Sequence, residues 1–412
     1  MPRPPYQLRP RPSAPPPPPP GSEEWTSPWL QMKYYSFHPA IFPRMVGQSS
    51  ADAAAGDLVT VYDKEGQPFG AGFFNPRARV PLRVLHHGAS PFTEEDLDNR
   101  LRTALRLRRD VLHLNESSDS WRAVNSDGDG ISGLMVDRFA DVLSIEVTTL
   151  GVWRRLRRWL PIMHEELGTK AQVIQVDPEI ALIEGIRIAD VPEASRPDFR
   201  SVRIREHGIR FSVDFETGHK TGFFCDQREN RKRLGQLARG RMLDLCCYTG
   251  GFSLAAKMMA GCEDVTGIDL DEKAIAQAKQ NANLNQARIS FVQADSFSWM
   301  RQMIRNGELW DTVVLDPPKL IHNRDFQEEG IFKYRDFNAL ALQLVRPGGL
   351  FVTCSCSGHL GTDAFEDLVI GTAHRHHKKL QILDRTGPGM DHPVMSNCPE
   401  SRYLKTLWAI VV

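Results

Sequence analysis

The sequence predicts an α/β protein whose C-terminal half is a doubly wound, parallel-type sheet, and three observations carry that expectation. From about residue 214 short apolar strands alternate with helices, the strand ends carry acids and glycines, and the preceding chain follows other patterns. A chain of 412 residues is also too long for one typical domain and suits two or three.

Residues 1–30 open with PRPPYQLRPRPSAPPPPPPG, which lacks the apolar content to fold and predicts a disordered tail, partly polyproline II. Residues 31–107 read as a β-rich domain. LVTVYD (58–63) alternates, EGQPFG supplies a turn, GAGFFN continues a strand, and VPLRVLHH (80–87) gives another. Thr93 stands as an N-cap before acidic residues and a helical apolar pattern, a helix expected to lead into the next unit. Residues 108–213 read as mixed α/β. Asp-Gly turns and two strand-like runs occupy 126–149, a helix 150–167, a strand 171–176 and a hairpin 208–218. Residues 214–412 supply strands at 242–247, 265–270, 289–294, 311–316, 349–355 and 403–412, with helices such as AIAQAKQNANLN and RDFNALALQLV between them.

Composition excludes little. The 51 basic and 51 acidic residues cancel, which neither demands nor forbids a nucleic-acid partner, because a local patch decides. Three arginine runs could make one, at Arg100 to Arg109, Arg154 to Arg158 and Arg228 to Arg233; solvated helix faces are the plainer reading of each. No apolar run approaches the roughly 18 residues of a membrane span, and no apolar h-region marks a secretory signal. The seven cysteines form neither a disulfide framework nor zinc-site spacing, so reduced thiols in the cytoplasm and no metal are expected.

In a doubly wound sheet ligands bind beyond the carboxyl ends of the strands. The first strand ends Asp244-Leu-Cys-Cys-Tyr-Thr-Gly-Gly251 at a helix start, where glycines let backbone approach a ligand. It lacks both Gly-x-Gly-x-x-Gly and Gly-Lys-Ser/Thr. The second strand ends at Asp269, suited to accept from two ribose hydroxyls, and the third at Asp295, placed to accept from an adenine amine. Each acid alone could equally cap a helix. Three in order resemble the class I methyltransferases, whose ligand is S-adenosylmethionine. Asp244, Tyr248, Gly250, Asp269, Leu270, Asp295 and Ser296 are the expected cofactor-binding residues at these strand ends, a set that the family resemblance below extends to Asp226, Gln227 and Asp316.

The fourth strand ends Asp316-Pro-Pro-Lys319 and the fifth Thr353-Cys354-Ser355-Cys356-Ser357-Gly358. Lys319 stands where many amino-methylating enzymes place an aromatic residue, which argues against methylation of an exocyclic amine. Two thiols at the reactive edge suit another chemistry. Carbon-5 of cytosine is a poor nucleophile; a thiolate adding to carbon-6 turns it into an enamine carbon, and loss of the carbon-5 proton later expels the thiol. Both cysteines could instead be small buried hydrophobes.

HKTGFFCDQRENR (219–231), LDLCCYTGGFS, LDPPK, TCSCSG and DHPV…PESRYLK, together with SDGDGISGLMVDRFADVL, resemble the bacterial large-subunit ribosomal RNA cytosine-C5 methyltransferase family over about residues 31–412. The resemblance implies an N-terminal PUA-like RNA-binding domain, a central α/β domain and a Rossmann-like domain. It implies a nucleophile in Thr353-Cys354-Ser355, with Cys354 ahead of Cys356, and Asp316 facing the target base. It implies that Asp226-Gln227-Arg228 walls the cofactor site, with ribosomal RNA (23S) as partner. Related RNA enzymes carry a second cysteine after the strand-four prolines, where this chain has Lys319, so product release falls to another group or to Cys356. His219 and Cys225 replace the usual glutamine and leucine. A PUA-like domain would grip folded RNA, and the target base would be turned out of its stack. Two other readings stay open, methylation of a different base position and a non-catalytic RNA-binding assembly factor. Pairing into a homodimer leaves no sequence signature and is also open.

Overall fold

The computed structural model describes residues 17–191, 201–215 and 222–412. The proline-rich stretch through residue 16, residues 216–218 of the expected hairpin and His219 lie outside the described residues. The chain divides into two compact units, Met1–Phe92 and Thr93–Val412.

In the first unit β1 (Trp29–Met32), β2 (Ala40–Ile41), β3 (Val46–Ser49), β4 (Asp57–Tyr62), β5 (Pro68–Phe74) and β6 (Leu82–His87) form one sheet in the order β2-β6-β5-β4-β1-β3. Leu30, Ile41, Val59, Val61, Phe74 and Leu82 fill its core. The hairpin between β4 and β5 is tighter than the EGQPFG stretch suggests. Asp63 accepts from the amides of Glu65 and Gln67, and β5 begins at Pro68. Packed structure also begins before residue 30. Trp25 stacks on Tyr62 with ring centroids 4.2 Å apart, an aromatic anchor that the surrounding prolines mask in a composition reading.

The second unit opens with α1 (Glu94–Arg106), where Thr93 and Asp96 form a reciprocal capping box. β7 (Ser120–Asn125), β8 (Leu134–Phe139), β9 (Val142–Val147) and β10 (Ala171–Gln175) follow in the order β10-β9-β8-β7, with α2 (Leu150–Leu167) packed on α1 and a short α3 (Pro178–Glu184) after β10. The hairpin is β11 (Ser201–Glu206) paired with β12 (Ile209–Asp214), so the segment read as a whole hairpin supplies only its second arm. It packs Phe211 and Val213 against Leu254 and Ala255 of the next domain.

That domain holds α4 (Arg228–Leu237), β13 (Met242–Leu245), α5 (Gly251–Met258), β14 (Val265–Asp269), α6 (Glu272–Leu284), β15 (Ser290–Gln293), α7 (Ser296–Arg305), β16 (Trp310–Leu315), α8 (Gln327–Gln343), β17 (Val345–Ser355), α9 (Thr362–Arg375), β18 (Leu380–Thr386) and β19 (Lys405–Val411). The strand order is β15-β14-β13-β16-β17-β19-β18, Rossmann-like. β13 to β17 run parallel, as expected; β19 runs antiparallel to both β17 and β18, and β18 is a strand beyond those the sequence pattern predicts. Leu243, Leu245, Val313, Leu315 and Phe351 enter one core, while Met242, Val314, Leu350 and Val352 enter another. Alternate residues thus bury both faces, which is why these strands read as continuous apolar runs.

Candidate active site

At the carboxyl end of β13 the chain turns sharply. Cys246, Tyr248 and Gly250 take φ of 62°, 48° and 83°, so the strand read through Cys247 stops at Leu245. Tyr248 takes a left-handed conformation unusual for a large side chain, and its amide donates to Asp269 at 2.8 Å. A Cβ on Gly250 would come 2.9 Å from Phe291, so a side chain there needs both strain and a shift. Asp244 is fully buried. Its Oδ2 accepts from the Ser253 amide and hydroxyl at 2.9 and 2.7 Å, while Oδ1 has no partner among the described residues. Burial pushes its carboxyl up to about 7.

The other strand-end residues divide. Asp269 is half-buried and also accepts from the Asp271 amide. Leu270 is exposed. Asp295 is an exposed N-cap of α7, accepting from Ser298, so the capping role weighed from sequence is present in fact. Ser296 is buried beside it, 3.8 Å from Cys246.

The thiols sit at the end of β17, next to the end of β16. Cys354 lies on one face of the strand, with Thr353 and Ser355 on the other, bonded to Asn338 and Tyr334 of α8, and Cys356 follows the last strand residue. Cys354, the first expectation for a nucleophile, is wholly buried. Its Sγ lies 3.4 Å from Thr406 Oγ1 and 3.6 Å from Gln227 Nε2, and burial followed by the Asp316 charge pushes it well above the ordinary thiol range. Gln227 spans the gap, donating also to Asp316 at 3.0 Å. Burial, then the charges of Asp226 and Asp244, push Asp316 up to about 7.

Cys356 differs. It is half-buried and lines a cavity of about 470 Å³ together with Phe224, Asp226, Lys319, His359 and Tyr403. Asp226 accepts from the Tyr403 hydroxyl at 2.7 Å on one oxygen; the other has no partner among the described residues. The cavity continues to Asn125 of β7, Glu146 of β9 and Asp127 in the turn after β7.

Part of each arginine run is taken up by buried ion pairs, while Arg154, Arg157 and Arg158 stay exposed. Arg108 is buried against Asp129, Arg228 against Asp391 and Arg231 against Glu206, while Arg155 pairs with Glu94. Sequence shows the charges but not partners 21 to 163 residues away. Lys405 is a further residue whose place the sequence does not reveal. Its signal is a lysine heading an apolar strand, opposite Ser355 in the β17–β19 ladder.

The profile of the S-adenosylmethionine-dependent methyltransferases matches residues 194–399, which is 206 of 412. The chain belongs to this family. The methyltransferase also carries a match to PUA-like domains over residues 31–87. "Ribosomal RNA large subunit methyltransferase I" of Erwinia tasmaniensis is 31% identical over 380 residues, covering 89% of this chain and 94% of that protein. Its counterpart in an Enterobacter species is 32% identical over 378 residues, with the same coverage. The crystal structure of SMU.776 complexed with SAH shares the fold, with a TM-score of 0.77 at 17% identity, covering 93% of this chain and 99% of that one. S-adenosylmethionine is therefore the cofactor of this methyltransferase. The strand ends fit it, with an unpartnered buried carboxylate oxygen on Asp244 and a Gly250-Gly251 approach at the start of α5. Among the described residues no helix is long and apolar enough to cross a membrane.

Proposed function

We propose that this methyltransferase forms 5-methylcytosine in large-subunit (23S) ribosomal RNA through a covalent adduct on Cys356. The names of its relatives and the PUA-like domain support RNA as substrate. The observation that carries the chemistry is a half-buried thiol opening on a cavity that Asp226 and Lys319, three residues past Asp316, also line, with a second thiol buried two residues earlier in β17. Cys356 displaces Cys354 as the preferred nucleophile because an incoming base can reach it without displacing Gln227.

The Cys356 sulfur bonds to carbon-6 of the cytosine, and the electron pair of the 5,6 double bond moves to carbon-5. S-adenosylmethionine, when bound, supplies an electrophilic methyl for that carbon. Asp316, with a carboxyl near 7, can hold a proton on the base while it is in the adduct. The unpartnered oxygen of Asp226 can take the carbon-5 proton; the returning electron pair then expels the thiolate. Gln227 would fix Asp316, and Asp244, Tyr248, Gly250 and Asp269 would shape the cofactor end.

Ribosomal RNA from cells lacking the protein, treated with enzyme and cofactor, is expected to gain 5-methylcytosine on digestion and mass spectrometry. Cys356→Ala should lose at least about a hundredfold in rate, and Cys354→Ala much less. An N-methylated base, or full activity of Cys356→Ala, would replace this reading.

A further inference from the structure

Among the described residues Lys405 is an ammonium without a matching carboxylate. It is 3% exposed, and its Nζ donates to the carbonyls of Ser357 at 2.6 Å and Tyr403 at 2.8 Å. Among the described residues no carboxylate lies within ion-pair distance of it. A buried charge held by neutral carbonyls alone is costly, and proteins retain one where a counter-charge arises. An ammonium has three protons to donate, and two are used here. Ser357 is the residue after Cys356, and Lys405 faces Ser355, the residue before it. The Cys356 thiol is also the ionisable neighbour that favours the charged form of Lys405, opposing the burial that lowers it.

We propose that Lys405 is the built-in counter-ion of Cys356, holding it as a thiolate before any substrate arrives. The thiol proton leaves to solvent through the cavity, and the lysine stays protonated. Lys405 is thus a positioning and activating residue, and its importance for methyl transfer rests on the reading of Cys356 as nucleophile. The other ionisable groups around the sulfur divide. Lys319 and a protonated His359 across the cavity reinforce a thiolate, Asp226 and Glu400 oppose it, and buried Cys354 and Tyr334 are held neutral.

The test needs no RNA. Iodoacetamide is added to the full chain across pH 5–10, and modification of Cys356 is read by peptide mass spectrometry. The half-maximal rate is expected at least about one pH unit below the ordinary thiol value of roughly 8.5. In Lys405→Met it should rise by a unit or more, lowering labelling at pH 7 by about tenfold. Lys405→Arg, which keeps a cation, should stay below 8.5. Identical midpoints in wild type and Lys405→Met would overturn the ion pair. If Lys405→Met does not fold, a wild-type midpoint at or above roughly 8.5 overturns it alone. The nucleophile reading fails separately, through 5-methylcytosine formed by Cys356→Ala.

Discussion

Asp244 and Asp316 are both pushed up to about 7, burial being the main cause in each, and this has a consequence for stability. Below the ordinary carboxyl pKa of 3.8 both folded and unfolded chains hold the proton. Above it the unfolded chain releases a proton that the folded one keeps until about 7, so stability falls as pH rises through that window. Three pH units correspond to at most ~4 kcal/mol per group. Asp391 does not blur the effect. Burial alone would raise its carboxyl, but the charges of His392 and Arg228 outweigh it and hold it far down, so its contribution is complete above pH 4 or so. Asp244→Asn should therefore flatten the decline of Tm between pH 5 and 7.5, measured by thermal unfolding; an unchanged slope would mean that Asp244 is ionised throughout. The acids at the strand ends were legible because position and residue type coincide. Which thiol meets a cavity was not, since Cys354 and Cys356 alternate in the sequence as if on one strand face, whereas β17 ends at Ser355 and Gln227 and Thr406 pack against Cys354.

The loop between β13 and α5 is the element on which the cofactor end depends. Three of its residues take positive φ, and only Gly250 does so without a steric penalty. Gly250→Ala would add ~1–2 kcal/mol of backbone strain and push a methyl to 2.9 Å from Phe291 of β15. Titration calorimetry should show S-adenosylmethionine affinity down by about tenfold or more, that being the effect of ~1.4 kcal/mol at the binding loop. Unchanged affinity would place the cofactor elsewhere. Elements that bury both faces were easy to read, as in β13, β16 and β17. β18 was hidden because LQILDRT alternates half-buried with exposed positions at the sheet's edge and carries charge. The reversed direction of β19 is equally invisible in KTLWAIV, because the path of the chain between β18 and β19 sets it rather than any residue in the strand.

Within the second unit, a buried lattice of ion pairs ties the segment before β19 to the central sheet. Arg228 donates to both oxygens of Asp391 at 2.8 and 3.0 Å, and the Arg122 amide of β7 donates to the same carboxylate at 2.9 Å. Arg108 reaches the Asp391 carbonyl while forming a two-pronged pair with Asp129, and Arg122 pairs with Asp137 of β8. Such pairs add little beyond what apolar packing would supply, yet breaking one strands a buried charge at a cost of about 3–5 kcal/mol. Asp391→Ala removes the shared acceptor of Arg228 and Arg122 and leaves a fully buried guanidinium with two of its nitrogens unmatched, Glu229 holding only its Nε at 3.1 Å. Its urea midpoint should drop accordingly. Because Asn125 also donates to the Pro393 carbonyl, loosening this segment should also disturb the cavity wall that Asn125 and His392 share with Cys356. Alkylation of Cys356 at pH 7 should become faster in Asp391→Ala if the wall opens. A midpoint shift equivalent to under about 1 kcal/mol, with Cys356 labelling unchanged, would mean that Arg228 finds water or another acceptor and that the lattice does not hold the cavity in shape.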